Sequence, residues 1–378
     1  MTAEATTSRE RLIAGLLARR ARLTDRIVLR ARTEIPGYHH LSSAELRPRT
    51  GLMIEVVLQA FGAQRTPSET ELRSFHEWGV ARARQGISLA DMLTAWRIAV
   101  REILDEITSI GRSHNIADRL QLELVREMLD LVDIAILEFT SGHREIELEN
   151  ARLDHQARAE FVRSVLTGTV GRAELAVRAQ RYGLGIDHPY IPFRVRPTAA
   201  HSLEALERLL PRPSFTTTVD GDLAGFTDRL PESLPVPLGF ADPAPIDALS
   251  PGFTQATRAL NAATAFQRTG AHSLAELGLL PAVLADSEVG DLLIGRYLDP
   301  LRHTGTPEVY LDTLRCYLES GQHIDSTAKT LVVHPNTVRY RIDRFQALTG
   351  HDLRKPSVAL ELWWALQRQR LRTDRPGP

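Results

Sequence analysis

From Ile116 to about Leu166 the chain carries no proline, and only Gly142 interrupts the run before Gly168 ends it. A stretch of that length with apolar residues at helical spacings predicts one long connecting helix. It divides the chain into a part before it and a part after it. Ile146, Leu153 and Ala157 continue an apolar seam through dense charge, with Asn150 inside it. Two outcomes stay open: a helix paired with its copy in a homodimer, or a solvated linker helix packed on its own chain.

The part before the run reads as nearly all helical from residue 8 to about 142. "SRERLIAGLLARRARLTDRIVLRA" sets Leu12, Leu16, Leu23 and Ile27 at helical spacings, and Pro36-Gly37 closes it. "SSAELRPRTGLMIEVVLQAFG" carries Val56, Val57 and Phe61 and tolerates Pro48 near its start. Leu72, Phe75 and Gly79 share a face of the next segment, which ends at Gly86. Ser88 with Asp91 three residues on resembles a capping box, and Trp96, Val100, Ile103 and Ile107 follow as a buried stripe.

After the run the pattern changes. "YIPFRVRP" and "VPLGFA" read as strands, and "FTTTVDGDLAGF" as two strands joined by an Asp-Gly turn at Asp220 and Gly221. Helical stretches lie between them, and the prolines from 211 to 251 mark loops. This predicts an α+β domain with a small antiparallel sheet. A last block, about 287 to 372, is again all helical. The expected fold is therefore multidomain and mainly α: a helical domain over 1–145, a linker helix with an α+β domain over 146–286, and a helical domain over 287–378.

Composition excludes several classes. Of 378 residues 43% are hydrophobic, ample for two or three cores, and no window approaches the roughly 18 apolar residues that span a membrane. Cys316 is the only cysteine, which removes internal disulfides and cysteine zinc sites and suits a reducing, cytoplasmic compartment. The formal net charge of −1 gives no global pull toward nucleic acid, so any basic surface is local.

One such surface is predicted near the C-terminal end. "DSTAKTLVVHPNTVRYRIDRFQALTG" gives a short helix from Asp325, its expected cap, to Leu331. A turn of Val332, Val333 and His334 follows, and then a second helix from Pro335 to about Leu348, stopped by Gly350. Val338, Ile342 and Phe345 share the inner face, with Ala328, Leu331 and Val333 completing a small core. The outer face carries Asn336, Thr337, Tyr340 and Arg344, with Arg339 on its flank. Arg341 lies at the core edge, where its stem packs and its guanidinium reaches out. Arg bonds guanine bidentately, Asn bonds adenine, and Thr or Tyr reach phosphates or a thymine methyl. Residues 305 to 372 hold ten Lys/Arg against seven Asp/Glu, a net of +3. The plainer alternative is a helical hairpin with a solvated arginine face.

"YLDTLRCYLESGQHIDSTAKTLVVHPNTVRYRIDRFQALTGHDL" closely resembles the DNA-binding domain of the PucR family of bacterial transcriptional regulators. The resemblance implies a Fis-like helix-turn-helix, with His334, Asn336, Thr337, Arg339, Tyr340 and Arg341 nearest DNA. "YGLGIDHPYIPFRV", "PVPLGFADP" and "FTQATRALNAATA" look like the degenerate GGDEF-like domain of such regulators. "ARARQGISLADMLTAWRIAVREI" is similar to the globin-like N-terminal domain of RsbR-type stress-signalling proteins. Implied partners are double-stranded DNA, a second copy of the chain, and an unknown small-molecule effector or protein partner. The second hypothesis is a stress-signalling scaffold without sequence-specific DNA binding.

Enzyme chemistry finds little support. Asp220 and Asp222 are the only candidates for a cyclase-like Mg²⁺ site, and an Asp-Gly turn explains them better. Of His39, His40, His76 and His114, His76 and His40 are the least poor haem ligands, while the resemblance implies a domain without haem. No catalytic residue, metal or cofactor is expected.

Overall fold

The computed structural model describes residues 3–373. They form two compact units, one ending at His155 and the other beginning at Gln156.

The first unit is helical throughout. Its helices are α1 (Ala3–Ala18), α2 (Arg20–Glu34), α3 (Ser43–Gly62), α4 (Glu69–Arg84), α5 (Leu89–Ser113) and α6 (Asp118–Thr167), the last of which continues into the second unit. The expected first segment is thus two helices, broken at Arg19. Leu12, Leu16, Leu23 and Ile27 are all buried and enter one core with Phe61, Phe75, Trp96, Ile107 and Phe139. Serine capping boxes start α3 (Ser42 with Glu45) and α4 (Ser68 with Glu71). At α5, Ser88 caps through the Asp91 amide alone. A hydrogen bond from Arg65 and the Ser68 amide hold the Glu71 carboxyl down to about 2 against the push of burial.

Gly142 does not interrupt α6; it lets two helices touch. A Cβ there would fall 2.1 Å from the His76 carbonyl oxygen, and one at Gly79 would fall 1.9 Å from that of Phe139. The α4 and α6 backbones cross at this glycine pair. Along the expected seam Ile146 is buried, Ala157 is half-buried and Leu153 is exposed.

In the second unit the last turns of α6 bury Phe161, Val162, Val165 and Leu166 with α7 (Arg172–Arg181) against a sheet. Its strands are β1 (Ile191–Val195), β2 (Ser214–Val219), β3 (Asp222–Thr227), β4 (Pro237–Phe240) and β5 (Gly270–His272), with α8 (Leu203–Leu209) after β1. The spatial order is β2-β3-β1-β4-β5. Asp220 and Gly221 both take positive φ, and Val219 pairs with Asp222, which makes the expected two-residue hairpin. The sheet is mixed, however. From β4 the chain crosses over through α9 (Leu249–Ala265), so β5 returns parallel to β4. Hairpin reasoning alone misses that crossover.

Short helices α10 (Leu274–Leu277) and α11 (Leu280–Ala285) lead into the helical block of α12 (Ser287–Tyr297), α13 (Pro307–Glu319), α14 (Ile324–Leu331), α15 (Pro335–Thr349) and α16 (Pro356–Thr373). Its core joins Tyr297, Leu301, Leu314, Val338, Phe345 and Leu362. Helix α16 also faces the other way, where Trp363, Trp364 and Leu371 pack with Ala259, Ala262 and Val283 of α9 and α11. Both tryptophans are therefore packing residues. Among the described residues no helix is long and apolar enough to cross a membrane.

Candidate nucleic-acid interface

Two short helices joined by a tight turn build the candidate surface. Helix α14 starts one residue before expectation: His323 is its N-cap residue, and Asp325 lies in the first turn, where its charge suits the positive helix end. Val332 ends α14 in the left-handed region (φ 53°, ψ 48°) and is 89% exposed. A β-branched residue rarely adopts that conformation, yet here it lets the Val333 amide reach back to the Ala328 carbonyl at 3.0 Å.

His334 then caps α15. Its Nδ1 accepts from the Asn336 amide at 3.2 Å, so the neutral ring carries its proton on Nε2 and offers a donor at the exposed helix start. Pro335 occupies the first turn without losing a hydrogen bond. Val338, Ile342 and Phe345 are buried, and Phe345 stacks near Tyr297 at 6.5 Å between ring centres. Gly350 closes the helix at φ 73°. Tyr297 itself is fixed by donating to Glu361 Oε2 at 2.7 Å.

The other face presents Asn336, Arg339, Tyr340 and Arg344 to solvent, with Thr337 half-buried beside them. Arg339 donates to Asn336 Oδ1 at 2.9 Å, so two side chains of one turn are held together. Among the described residues Tyr340 and Arg344 have no side-chain partner, and Tyr340 is 64% exposed. Asp343 is the one carboxylate on the outer side of this helix. Arg341 departs from expectation. Its guanidinium turns back to α13 and donates to the Thr313 hydroxyl at 3.0 Å, rather than reaching outward. Lys329, in the last turn of α14, is exposed and makes no ion pair among the described residues. A helical wheel drawn for α15 alone overlooks it.

The remaining candidates have other partners. Asp222 is buried and accepts from Arg194 Nε at 2.9 Å and Arg196 Nε at 3.0 Å. Asp220 faces Arg194 at 3.2 Å. Guanidinium groups thus stand where a cyclase-like cation would. His39, His40 and His114 are exposed, and His76 pairs at the surface with Glu145 at 2.8 Å.

Profile comparison matches residues 310–367 to the PucR C-terminal helix-turn-helix domain, and residues 21–158 to the RsbT co-antagonist protein rsbRD N-terminal domain. The purine catabolism regulatory protein of Bacillus subtilis is 46% identical over 61 residues, 16% of this chain and 12% of that protein. An uncharacterized protein of Mycobacterium tuberculosis is 38% identical over 86 residues, 22% of this chain and 20% of its own length. The chain thus spans at most a fifth of these relatives. The crystal structure of a regulator of polyketide synthase expression from Bifidobacterium adolescentis aligns with 58% of this chain and 98% of its own, at 24% identity and a TM-score of 0.27. The chain thus carries a C-terminal helix-turn-helix domain of the PucR type over residues 310–367 and an N-terminal domain of the rsbRD type over residues 21–158.

Proposed function

We propose that the chain is a cytoplasmic, DNA-binding transcriptional regulator that acts as a homodimer and reads the major groove with α15. The observation that carries this is the exposed, largely unpartnered face of Asn336, Arg339, Tyr340 and Arg344, mounted on a helix whose inner face is fully packed. His334 and Thr337 complete the contact set at the helix start, and Arg341 positions the helix from its seat on Thr313. One helix of this length reaches few base pairs, so useful specificity calls for two copies on a two-fold site. Residues 1–145 serve as sensory or interaction domain, 146–286 as connecting helix and GGDEF-like domain, and 287–378 as DNA-binding domain. An effector or protein partner acts on the upstream domains, and the chain catalyses no reaction.

A stress-signalling scaffold is the second reading, supported by the rsbRD-type match over residues 21–158. Salt dependence separates the two, because phosphate contacts weaken steeply with salt whereas an apolar protein interface barely responds. The deciding experiment selects fragments of sheared genomic DNA on the full-length protein, with Arg339→Ala in parallel. A two-fold symmetric motif, lost in the variant, supports the regulator. Recovery of no motif in low salt favours the scaffold.

A further inference from the structure

The N-terminal unit holds two neighbouring, partly open chambers, of ≈ 50 Å³ and ≈ 40 Å³, which share Thr50, Met53, Trp96 and Ala99 in their walls. A single water needs roughly 10–15 Å³ measured this way, so each chamber exceeds a packing defect. The walls are apolar apart from the shared Thr50 and, in the larger chamber, Arg82 and Tyr38. Neither wall contains a histidine.

Arg82 is only 5% exposed. Its guanidinium donates to Gln85 Oε1 at 2.8 Å and lies 5.8 Å from the Tyr38 ring. Among the described residues no carboxylate comes within ion-pair distance of it. Buried arginines elsewhere in the protein are paired, as Arg9 is with Glu127 and Arg194 with Asp222. Burial lowers the Arg82 pKa from its ordinary value, and Arg49 adds a like charge nearby. Arginine keeps its proton even so. Asp91 acts on Tyr38 but does not pair with Arg82. An uncompensated buried cation is costly and persists where something offsets it. A second polar group points the same way: the indole N–H of Trp96, which is 9% exposed and walls both chambers, has no acceptor among the described residues.

We infer that this cavity binds a small monocarboxylate with an apolar body. The carboxylate pairs with Arg82, which offers a planar fork of donors matched to two oxygens. The hydrocarbon part fills the space around Met53, Ala99 and Val57, and Trp96 Nε1 donates to an oxygen of the same ligand. The size of the chambers restricts the ligand to a short chain, because a cavity that takes up benzene measures roughly 150 Å³. The inference stands apart from the DNA-binding reading and would hold in a scaffold as well.

The test is isothermal titration of the full-length protein with the series from acetate to hexanoate, followed in parallel by tryptophan fluorescence. Primary alcohols of the same lengths serve as uncharged controls. One acid per protomer should bind saturably, and its alcohol at least about tenfold more weakly. Arg82→Met keeps the length of the side chain and should abolish binding of the acid. Ala99→Leu fills the shared wall and should do the same with Arg82 intact. Absence of saturable binding across the series overturns the inference, as does equal affinity for acid and alcohol. Where Arg82→Met fails to fold, Ala99→Leu decides: unchanged affinity overturns the assignment, and loss of binding in a folded variant supports it. No DNA enters the assay, so its failure is distinct from failure of the regulator reading.

Discussion

Arg339 and Arg341 stand two positions apart on α15, and the structure gives them opposite duties. Arg339 is exposed, and among the described residues its side-chain hydrogen bond goes to Asn336 of its own helix. Replacing it with Ala removes no buried contact, so stability should change by no more than about 0.5 kcal/mol. If its guanidinium reads a base, the variant loses about 1–3 kcal/mol of discrimination, or about 5- to 140-fold in the affinity ratio between a selected site and a scrambled duplex. If it meets only a phosphate, affinity falls equally for both duplexes and the salt slope drops by about 1. Arg341 bonds the buried Thr313 hydroxyl, which itself donates to the Val309 carbonyl at 2.7 Å. Arg341→Ala therefore loses a charged hydrogen bond that ties α15 to α13, at a cost of about 1–2 kcal/mol. Fluorescence anisotropy on both duplexes over a range of salt reads the first effect. Hydrogen exchange of peptides covering α13 and α15 reads the second. The reasoning fails if Arg341→Ala loses discrimination at unchanged protection while Arg339→Ala loosens the domain.

Three further outcomes follow from local geometry. Val332→Gly should stabilise α14 and α15 by about 0.5–1 kcal/mol, because a left-handed valine costs about 1–2 kcal/mol and glycine returns part of that gain as chain entropy; faster amide exchange in these helices would contradict it. Gly142→Ala should cost about 3 kcal/mol by forcing α4 and α6 apart, and a thermal unfolding curve that overlays the parent would refute the close crossing. Because the folded pKa of Glu71 lies near 2, below its ordinary 4.5, its stabilising effect is complete above about 4.5 and fades as pH falls toward 2. The stability gap between the parent and Glu71→Gln should shrink over that window in acid unfolding, and a constant gap would remove the basis for it.

Apolar periodicity made most helices legible, because each one buries a single face and that face recurs in the sequence. Leu12, Leu16, Phe75 and Ile107 are core residues for the reason their spacing suggests. Features that depend on distant partners were not legible. Gly142 read as a break because nothing near it in sequence reveals His76 across the crossing. Strand β5, three residues long, pairs parallel only because α9 brings it back beside β4. On α15 the buried stripe and the outward residues were both evident, since the wheel and the packing agree. The direction of the Arg341 guanidinium was not, since it is set by a hydroxyl twenty-eight residues upstream. The cavity around Arg82 left no local trace at all: its walls come from α2 to α6, and an arginine in a helix normally reads as surface.

Helix α16 belongs to two cores, one shared with α12, α13 and α15 and one with α9 and α11. The profile match ends at residue 367, yet Leu371 is still buried against alanines of α9. A fragment cut at residue 287 would therefore carry a bared apolar strip of Trp363, Trp364 and Leu371, and should self-associate through it. Dissection of this protein into working pieces is better made upstream of the sheet, where the cut leaves α16 both of its neighbours.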